Sequence, residues 1–563
     1  MKLLLDELRA LFAGEIRTDA VSRAAYSHDA SMFELVPEAI LYPRDVKDLK
    51  ALVRFVNTKK QIYPTLSITP RSAGTDVSGG AIGTSLILDM TKYFNVVETV
   101  SSTALRAQPG VSLRTIEPLL VTHGTIIGCA PASQAKSTLG GMVANNSAGE
   151  QSLRYGNADK SVQELTVILA DGNEYTFKPI TKRELAVKMK QNNFEGTFYR
   201  QTYELIEKNY DLIKNARPRT SKNSMGYNLW SVWDRDTGIF DLTQLFTGSQ
   251  GTLGVITDIT LKLVPKAKHS GLLFAYLDNV HQLDTVIPLI ISHNPATFEG
   301  FDDVTFSLGM QHFKSLHKQL GTKEWLKQQA ALLPSVAKLT GHLPGTALMI
   351  EFEGDTYQDV NDKIIALQHD LHTLSPRIQT EIEGNEQQSQ PFWEIRRASL
   401  TSLRQRAKDH YGSSFLDDLA IQPQYISVFL PRIRKIMRHY KLPVTIAGHF
   451  GDGNFHIIPL FDGNDRALHV KLEQAMRELV PIILEYGGTL AGEHNDGMIR
   501  GPWLPAMFGN DMYELFKDTK ELFDPLYIFN PHKKTDASWA FSMGHRHSKD
   551  DEKGLGIEAL NRK

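Results

Sequence analysis

The chain has 563 residues, 41% hydrophobic and 22% charged, with a formal net charge of −2. These are the proportions of an ordinary globular protein able to bury large cores, and the near-zero charge supplies no overall field for nucleic acid. Its one cysteine, Cys129, excludes an intrachain disulfide and any cysteine-ligated iron–sulfur cluster built by this chain alone.

The length predicts about three or four domain-sized units. Met1 to Glu15 is apolar at helical spacing, and Asp6, Glu7 and Arg9 interrupt it, so it lacks the apolar core of a signal peptide. No apolar run is long enough to span a membrane. From about 36 to 265, β-rich runs alternate with helical patterns. Ala39 to Tyr42 reads as a strand ending at Pro43, Val46 to Lys59 as an amphipathic helix, and Ser85–Met90, Val162–Leu169 and Gly254–Leu263 as strands.

Three glycine-rich stretches punctuate this region. In the first, Pro70 to Gly80, Arg71, Ser72, Thr75 and Ser78 add donors to a run of backbone N–H groups, which suits a pyrophosphate. It is neither a Walker A loop nor a G-x-G-x-x-G turn opening a helix. The second runs from Pro131 to Gly149, with Ser137 or Thr138 placed to cap a helix near Gly140. The third, Thr247 to Thr257, enters a strand. Each alone could be an empty loop; together they point to a large polar cofactor with distributed backbone contacts.

Between about 270 and 440, strands at Leu272–Leu277 and Thr346–Glu353 and helices at Lys323–Leu332 and Tyr357–Leu374 predict an antiparallel sheet covered by helices. Then comes Ala447-Gly448-His449-Phe450-Gly451-Asp452-Gly453-Asn454-Phe455-His456, flanked by apolar arms. If 451–454 forms a four-residue hairpin loop, Phe450 pairs with Phe455 and His449 with His456, and the imidazoles come within reach of one metal ion. The plainer alternative is two partly buried histidines bonded to backbone. A helix over Arg466–Glu485 and the loop Gly487 to Gly497 follow, and the tail from Gly544 reads as a solvated extension.

The ordered pieces Pro70-Arg71…Gly74-Thr75…Gly79-Gly80, Thr138-Leu139-Gly140-Gly141…Asn145…Gly149, Gly251-Thr252-Leu253-Gly254-Val255-Ile256-Thr257, Phe392-Trp393-Glu394-Ile395-Arg396, His449…His456, Gly492-Glu493-His494 and Phe523-Asp524-Pro525…Asn530-Pro531 resemble a known family. It is the vanillyl-alcohol oxidase type of FAD-linked oxidases and dehydrogenases, in the branch of D-lactate dehydrogenase, D-2-hydroxyglutarate dehydrogenase and the glycolate oxidase FAD subunit. The match covers roughly residues 25 to 535 and is similar to the flavin portion of larger flavin/iron–sulfur fusions, whose cysteine-rich half has no counterpart here.

The resemblance implies an α+β fold: a two-subdomain FAD-binding module of PCMH type, an antiparallel-sheet cap and a C-terminal helical segment. The expected divisions are 1–35 (an N-terminal helical part of the module), 36–268 (FAD binding), 269–440 (substrate cap), 441–535 (completing the active site) and 536–563 (polar tail). Arg71, Ser72, Ala73, Gly74, Thr75, Ser78 and Gly79 would cradle the pyrophosphate. Pro131, Ser137, Thr138, Gly141, Asn145 and Gly149 would meet the ribityl chain and ring edge, and Gly251, Gly254 and Ile256 the ring. No histidine lies in 71–80, which implies non-covalent FAD. Metal-dependent members place Zn2+ or Mn2+ on the positions of His449, His456 and Glu493, a donor set that suits either ion. His494 maps onto the family's proposed base and Arg396 onto its substrate arginine; Arg500 is a further candidate for the substrate's charge.

Three departures stand out. Gln250 occupies a position where relatives often have glutamate. Asn495-Asp496 replaces the commoner glycine after the histidine. Phe415-Leu416-Asp417-Asp418 lacks the lysine found shortly before the acidic pair in members that bind longer diacids. The expected activity is FAD-dependent oxidation of a D-2-hydroxy acid, of D-lactate or D-2-hydroxyglutarate type. Electrons would pass to a quinone, a cytochrome or an iron–sulfur protein. The alternatives are an oxidase using O2, an enzyme for another alcohol, and a non-catalytic FAD-binding subunit. The expected location is cytoplasmic or peripheral at the inner face of a membrane, and homo-oligomerisation is left open.

Overall fold

The computed structural model describes residues 2–303, 305, 345–383, 393, 411–412, 415–442, 444–461, 465 and 467–546. The expected helix Lys323–Leu332 lies outside the described residues, as does Arg396. The architecture is α+β, as the sequence predicts.

The N-terminal half is built on two main sheets, with a three-stranded and a two-stranded ribbon beside them. In the first, Ala39–Tyr42 lies parallel to Leu86–Asp89, which lies parallel to Ile68–Arg71, and Glu15–Arg17 adds an antiparallel edge. The helix Val46–Lys59 covers it. Asp45 caps that helix by accepting from the Lys47 and Asp48 amides, and Leu49, Leu52, Val53 and Val56 form its buried stripe. The second sheet is antiparallel, in the order Val97–Val100, Ala104–Ala107, Val255–Lys262, Val162–Ile168, Glu174–Phe177. The N-terminal helix is shorter than the apolar spacing predicts, ending at Arg9.

A third sheet is antiparallel throughout and has eight strands among the described residues. Its order is Gln379–Glu383, His269–Leu277, Thr346–Gly354, Thr297–Asp302, Val444–His449, Asn454–Phe461, Tyr411–Gly412, and Leu416–Ala420 also pairs with Asn454–Phe461. Leu283–Ser292, Tyr357–Leu374 and Ile426–His439 are its helical cover. The sheet runs across position 440, so the histidine hairpin is built into the cap rather than appended to it.

After the helix Leu468–Glu485 the chain returns to the N-terminal half. Phe523, at the end of Leu504–Phe523, packs on Phe198 and Phe246, with ring centroids 5.6 and 5.4 Å away. Asn530 then latches two glycine loops together, its side-chain amide donating to the Gly80 and Gln250 carbonyls at 2.8 and 2.7 Å. No helix among the described residues is long and apolar enough to cross a membrane.

Candidate active site

The three glycine-rich stretches and the histidine hairpin meet around one cavity of about 310 Å3. The first loop contributes Arg71, Ser72, Ala73, Gly74, Thr75 and Gly80, the second Pro131, Ser137, Thr138, Gly141 and Asn145, and the third Gln250, Gly251, Gly254 and Ile256. Asp417, His456, Glu493 and His494 line it as well.

The first loop organises itself. Asp76 accepts from the Ser78 and Gly80 amides at 3.0 and 2.6 Å and from the Ser78 hydroxyl at 2.8 Å. Among the described residues, the amides of Ser72, Ala73, Gly74 and Thr75 have no protein acceptor, and all four residues line the cavity. That is the cradle a pyrophosphate needs. Gly74 stands at φ +67°, and a Cβ there would lie 2.3 Å from the Arg71 guanidinium. Arg71 itself is committed inward, donating to the Ala81 carbonyl at 3.2 Å and lying over the Tyr26 ring. Burial lowers its pKa.

Ser78, Gly79 and Gly149 do not line the cavity. Ser78 accepts from the Gln250 amide at 2.9 Å, and a Cβ on Gly149 would lie 2.0 Å from the Ala130 carbonyl, so both act as loop joints. Thr138 rather than Ser137 caps the helix Leu139–Asn145.

The hairpin differs in register from the expectation. His449 pairs with Asn454, and Ala447 with His456, because Phe450–Asp452 forms a 3₁₀ turn closed by Gly453. Gly453 sits at φ +66°, and a Cβ there would lie 1.9 Å from the Ile421 carbonyl. The shift is two residues, so both histidines keep to one face and meet as diagonal neighbours. Their rings are 5.5 Å apart.

One oxygen of Glu493 is the focus of this end. Oε1 lies 3.4 Å from His449 Nε2, 3.4 Å from His456 Nε2 and 3.6 Å from His494 Nε2. The other nitrogens are held from behind: His449 Nδ1 bonds Glu299, and His456 Nδ1 donates to the Asp417 carbonyl at 2.7 Å. Each ring therefore presents Nε2 to the shared point, the arrangement typical of a metal-binding imidazole. Ligand atoms of His449, His456 and Glu493 lie within 4.8 Å of one another, and His449 Nε2 is buried without a hydrogen-bond partner. This donor set fits Zn2+ or Mn2+.

Burial is the largest influence and opposes a charge on His449, but the carboxylates of Glu299 and Glu493 together outweigh it and hold the imidazole up at about 9. Burial also disfavours the Glu493 charge, yet Lys222 and His449 hold this carboxyl well below the usual range. Asp418 fixes the loop beneath by accepting from the Glu493 and His494 amides at 3.0 and 2.6 Å. His494 is the most exposed of the cluster, with 23% of its side chain accessible; it stacks on His456 at 5.2 Å and lies 3.8 Å from Asp417.

Arg500 is not brought to this point. It is buried, outside the cavity wall, with Nη1 donating to the Asn495 carbonyl at 2.9 Å. Asn495-Asp496 is a structural joint: Lys534 donates to both side chains at 2.7 and 2.6 Å, and Asp496 accepts from the Gly226 amide at 2.8 Å. Glu299, Lys222 and Asp452 stand beside this cluster although the sequence reading does not name them as site residues. A glutamate inside the apolar strand Thr297–Asp302 was a usable signal; Lys222, in a polar stretch, offered none.

Two family models match the chain. Residues 37–178 match the model of an FAD binding domain, and residues 266–534 that of the FAD linked oxidases, C-terminal domain. The D-2-hydroxyglutarate dehydrogenase of Escherichia coli (strain K12) is 24% identical over 556 residues, covering 95% of this chain and 52% of the relative, so the chain spans about half its length. The glycolate oxidase subunit GlcD of Bacillus subtilis (strain 168) is 27% identical over 520 residues, covering 91% of this chain and 92% of the relative. In fold, the chain is similar to 4-ethylphenol oxidase from Gulosibacter chungangensis (TM-score 0.66, 13% identity, 96% and 98% covered) and to p-cresol methylhydroxylase (TM-score 0.66, 14% identity, 96% and 97% covered).

Proposed function

The chain belongs to the FAD-linked oxidoreductases, and from that premise we propose that it oxidises a D-2-hydroxy acid to the 2-oxo acid. The observation that carries this reading is the convergence of three imidazole Nε2 atoms on Glu493 Oε1 in the cavity that the three glycine loops line. Residues 36–268 would bind FAD non-covalently, the eight-stranded sheet would cap the substrate, and its histidine hairpin together with the chain on to 535 would complete the active site. Bound FAD supplies the two-electron acceptor, and a Zn2+ or Mn2+ on His449, His456 and Glu493 supplies a Lewis acid for the substrate oxygens.

The protein's own groups orient the substrate and move the proton. His494 takes the hydroxyl proton, and Asp417, 3.8 Å from its Nδ1, balances the resulting charge. Glu299 and the Asp417 carbonyl keep the two ligand imidazoles in one tautomer, with Nε2 free for the ion. Arg396, outside the described residues, is proposed for the substrate carboxylate. The relatives' names favour D-2-hydroxyglutarate or glycolate as substrate, and the sequence resemblance adds D-lactate; electrons would leave to a separate quinone, cytochrome or iron–sulfur protein.

The test is anaerobic. The purified yellow protein is mixed in turn with D-lactate, D-2-hydroxyglutarate, glycolate and D-malate, and the flavin absorbance is followed. One of these bleaches the flavin; a flavin left oxidised by all four would sink the proposal.

A further inference from the structure

Lys222 lies behind the metal-ligand set and outside the cavity wall, and it is fully buried at 0% exposure. Its ammonium has three N–H donors and three neighbours: Glu493 Oε2 at 3.2 Å, Asn454 Oδ1 at 3.3 Å and Asp452 Oδ2 at 3.6 Å. Each of these is fixed in turn. Asn454 donates its amide to Asp418 and to the Leu419 carbonyl at 3.0 and 3.1 Å, so its oxygen is the atom turned to Lys222. Asp452, in the hairpin turn, accepts from Ser152 and Ser221 at 2.8 and 2.7 Å. The ammonium therefore has little freedom to turn away, and the two oxygens of Glu493 face different partners: Oε1 the imidazoles, Oε2 the lysine.

A carboxylate with both oxygens free beside a divalent ion can chelate it and fill a second coordination position. We infer that Lys222 is a positioning residue that reserves Oε2 of Glu493, so that the glutamate offers a bound ion one oxygen and a position is left for the substrate. The inference rests on the metal reading above. It accounts for a buried cation beside a cation site, where simple electrostatics would place none.

The full-length flavin-loaded protein, stripped of metal and titrated with Co2+, provides the test. Absorption beyond the flavin bands reports coordination number, because the visible bands of Co2+ weaken as ligands are added. Oxalate, which presents two adjacent oxygens as a 2-hydroxy acid does, reports the open position. Both the parent and Lys222→Met bind one Co2+ per chain. The variant shows weaker visible bands and binds oxalate roughly tenfold to a hundredfold less tightly. Asp452→Asn, which loosens the lysine's anchor without touching Glu493, moves both readouts the same way by less, and it carries the test if Lys222→Met does not fold. An unchanged Co2+ spectrum and oxalate affinity overturn the inference, even if flavin content or melting temperature falls, since that would be a merely structural role. A parent protein that binds no Co2+ overturns the metal reading itself, and the inference with it.

Discussion

Glu493 is buried and Glu351 partly buried, yet the two carboxyl groups hold different charge states. Glu493 sits among Lys222, His449, His456 and His494, and these cations and imidazoles keep it ionised. Glu351, on the strand Thr346–Gly354, is pushed up to about 8 by burial and by the negative charges of Glu353 and Glu150. Burial raises both, so the neighbours decide the outcome. An ionised buried carboxylate is costly to keep and marks a place where its charge is used; a neutral one is a tolerated member of a packed sheet. Exchanging carboxylate for amide separates the two cases, because it changes charge while nearly conserving shape.

The largest effect is expected at the ionised centre. Glu493→Gln removes a proposed metal ligand and leaves Lys222 with Asn454 and a single carboxylate, Asp452. Losing one partner of a buried pair typically costs about 3–5 kcal/mol, and losing a group that stabilises the reacting centre costs about 100-fold or more in rate. The variant should keep its flavin, lose its divalent metal by elemental analysis, melt lower and turn over at least about 100-fold more slowly. Retention of full metal content would break the contrast between the two glutamates.

The converse exchange applies at Gln250. Its amide donates to Ser78 and Asn145 at 2.9 and 3.2 Å while its carbonyl oxygen accepts from the Gly497 amide at 2.8 Å, tying all three glycine-loop regions to the C-terminal segment. A carboxylate there has no N–H to give, so Gln250→Glu should cost about 1–3 kcal/mol. The loss should appear as weaker FAD binding in equilibrium dialysis with metal content unchanged. Equal flavin affinity in both proteins would mean that Asn145 turns its own amide to compensate.

These centres were unequally legible in the sequence. The glycine loops could be read because a backbone cradle demands glycine at fixed places, and most of the residues assigned to them line the cavity. The histidine pair could be read because strand faces alternate, and a two-residue register shift left that parity intact. Asn454 was expected to belong wholly to the loop, but it joins the strand and presents its oxygen to Lys222. Lys222 itself, in the run Arg219-Thr220-Ser221-Lys222-Asn223, looks like solvated loop; its burial follows from the hairpin turn closing over it, an event hundreds of residues away in the chain. Arg500 misled for a local reason, its guanidinium being committed to the Asn495 carbonyl five residues back.

The smallest effect is expected at the neutral glutamate, and it depends on pH. Below about pH 4.5 Glu351 is protonated in both the folded and the unfolded chain and contributes nothing to the balance. Between that value and its folded pKa of about 8, the unfolded chain gives up a proton that the folded chain keeps, so the parent loses stability as pH rises. The ideal slope approaches about 1.4 kcal/mol for each step of one in pH, and the partial exposure of Glu351 reduces it, leaving a cost of about 1 kcal/mol at pH 7. Glu351→Gln keeps an acceptor for the Thr297 hydroxyl, 3.3 Å away, and has no proton to lose in this range. It should therefore raise the melting temperature at pH 7 by about one degree, match the parent at pH 4.5 and flatten the parent's decline between the two. Metal content and flavin bleaching should stay at parental values, since nothing at this position reaches the cavity wall. A variant that melts below the parent at pH 7 would show that Glu351 is ionised in the folded protein, held by Arg154 or another cation through Glu353, and the two glutamates would then belong to one class.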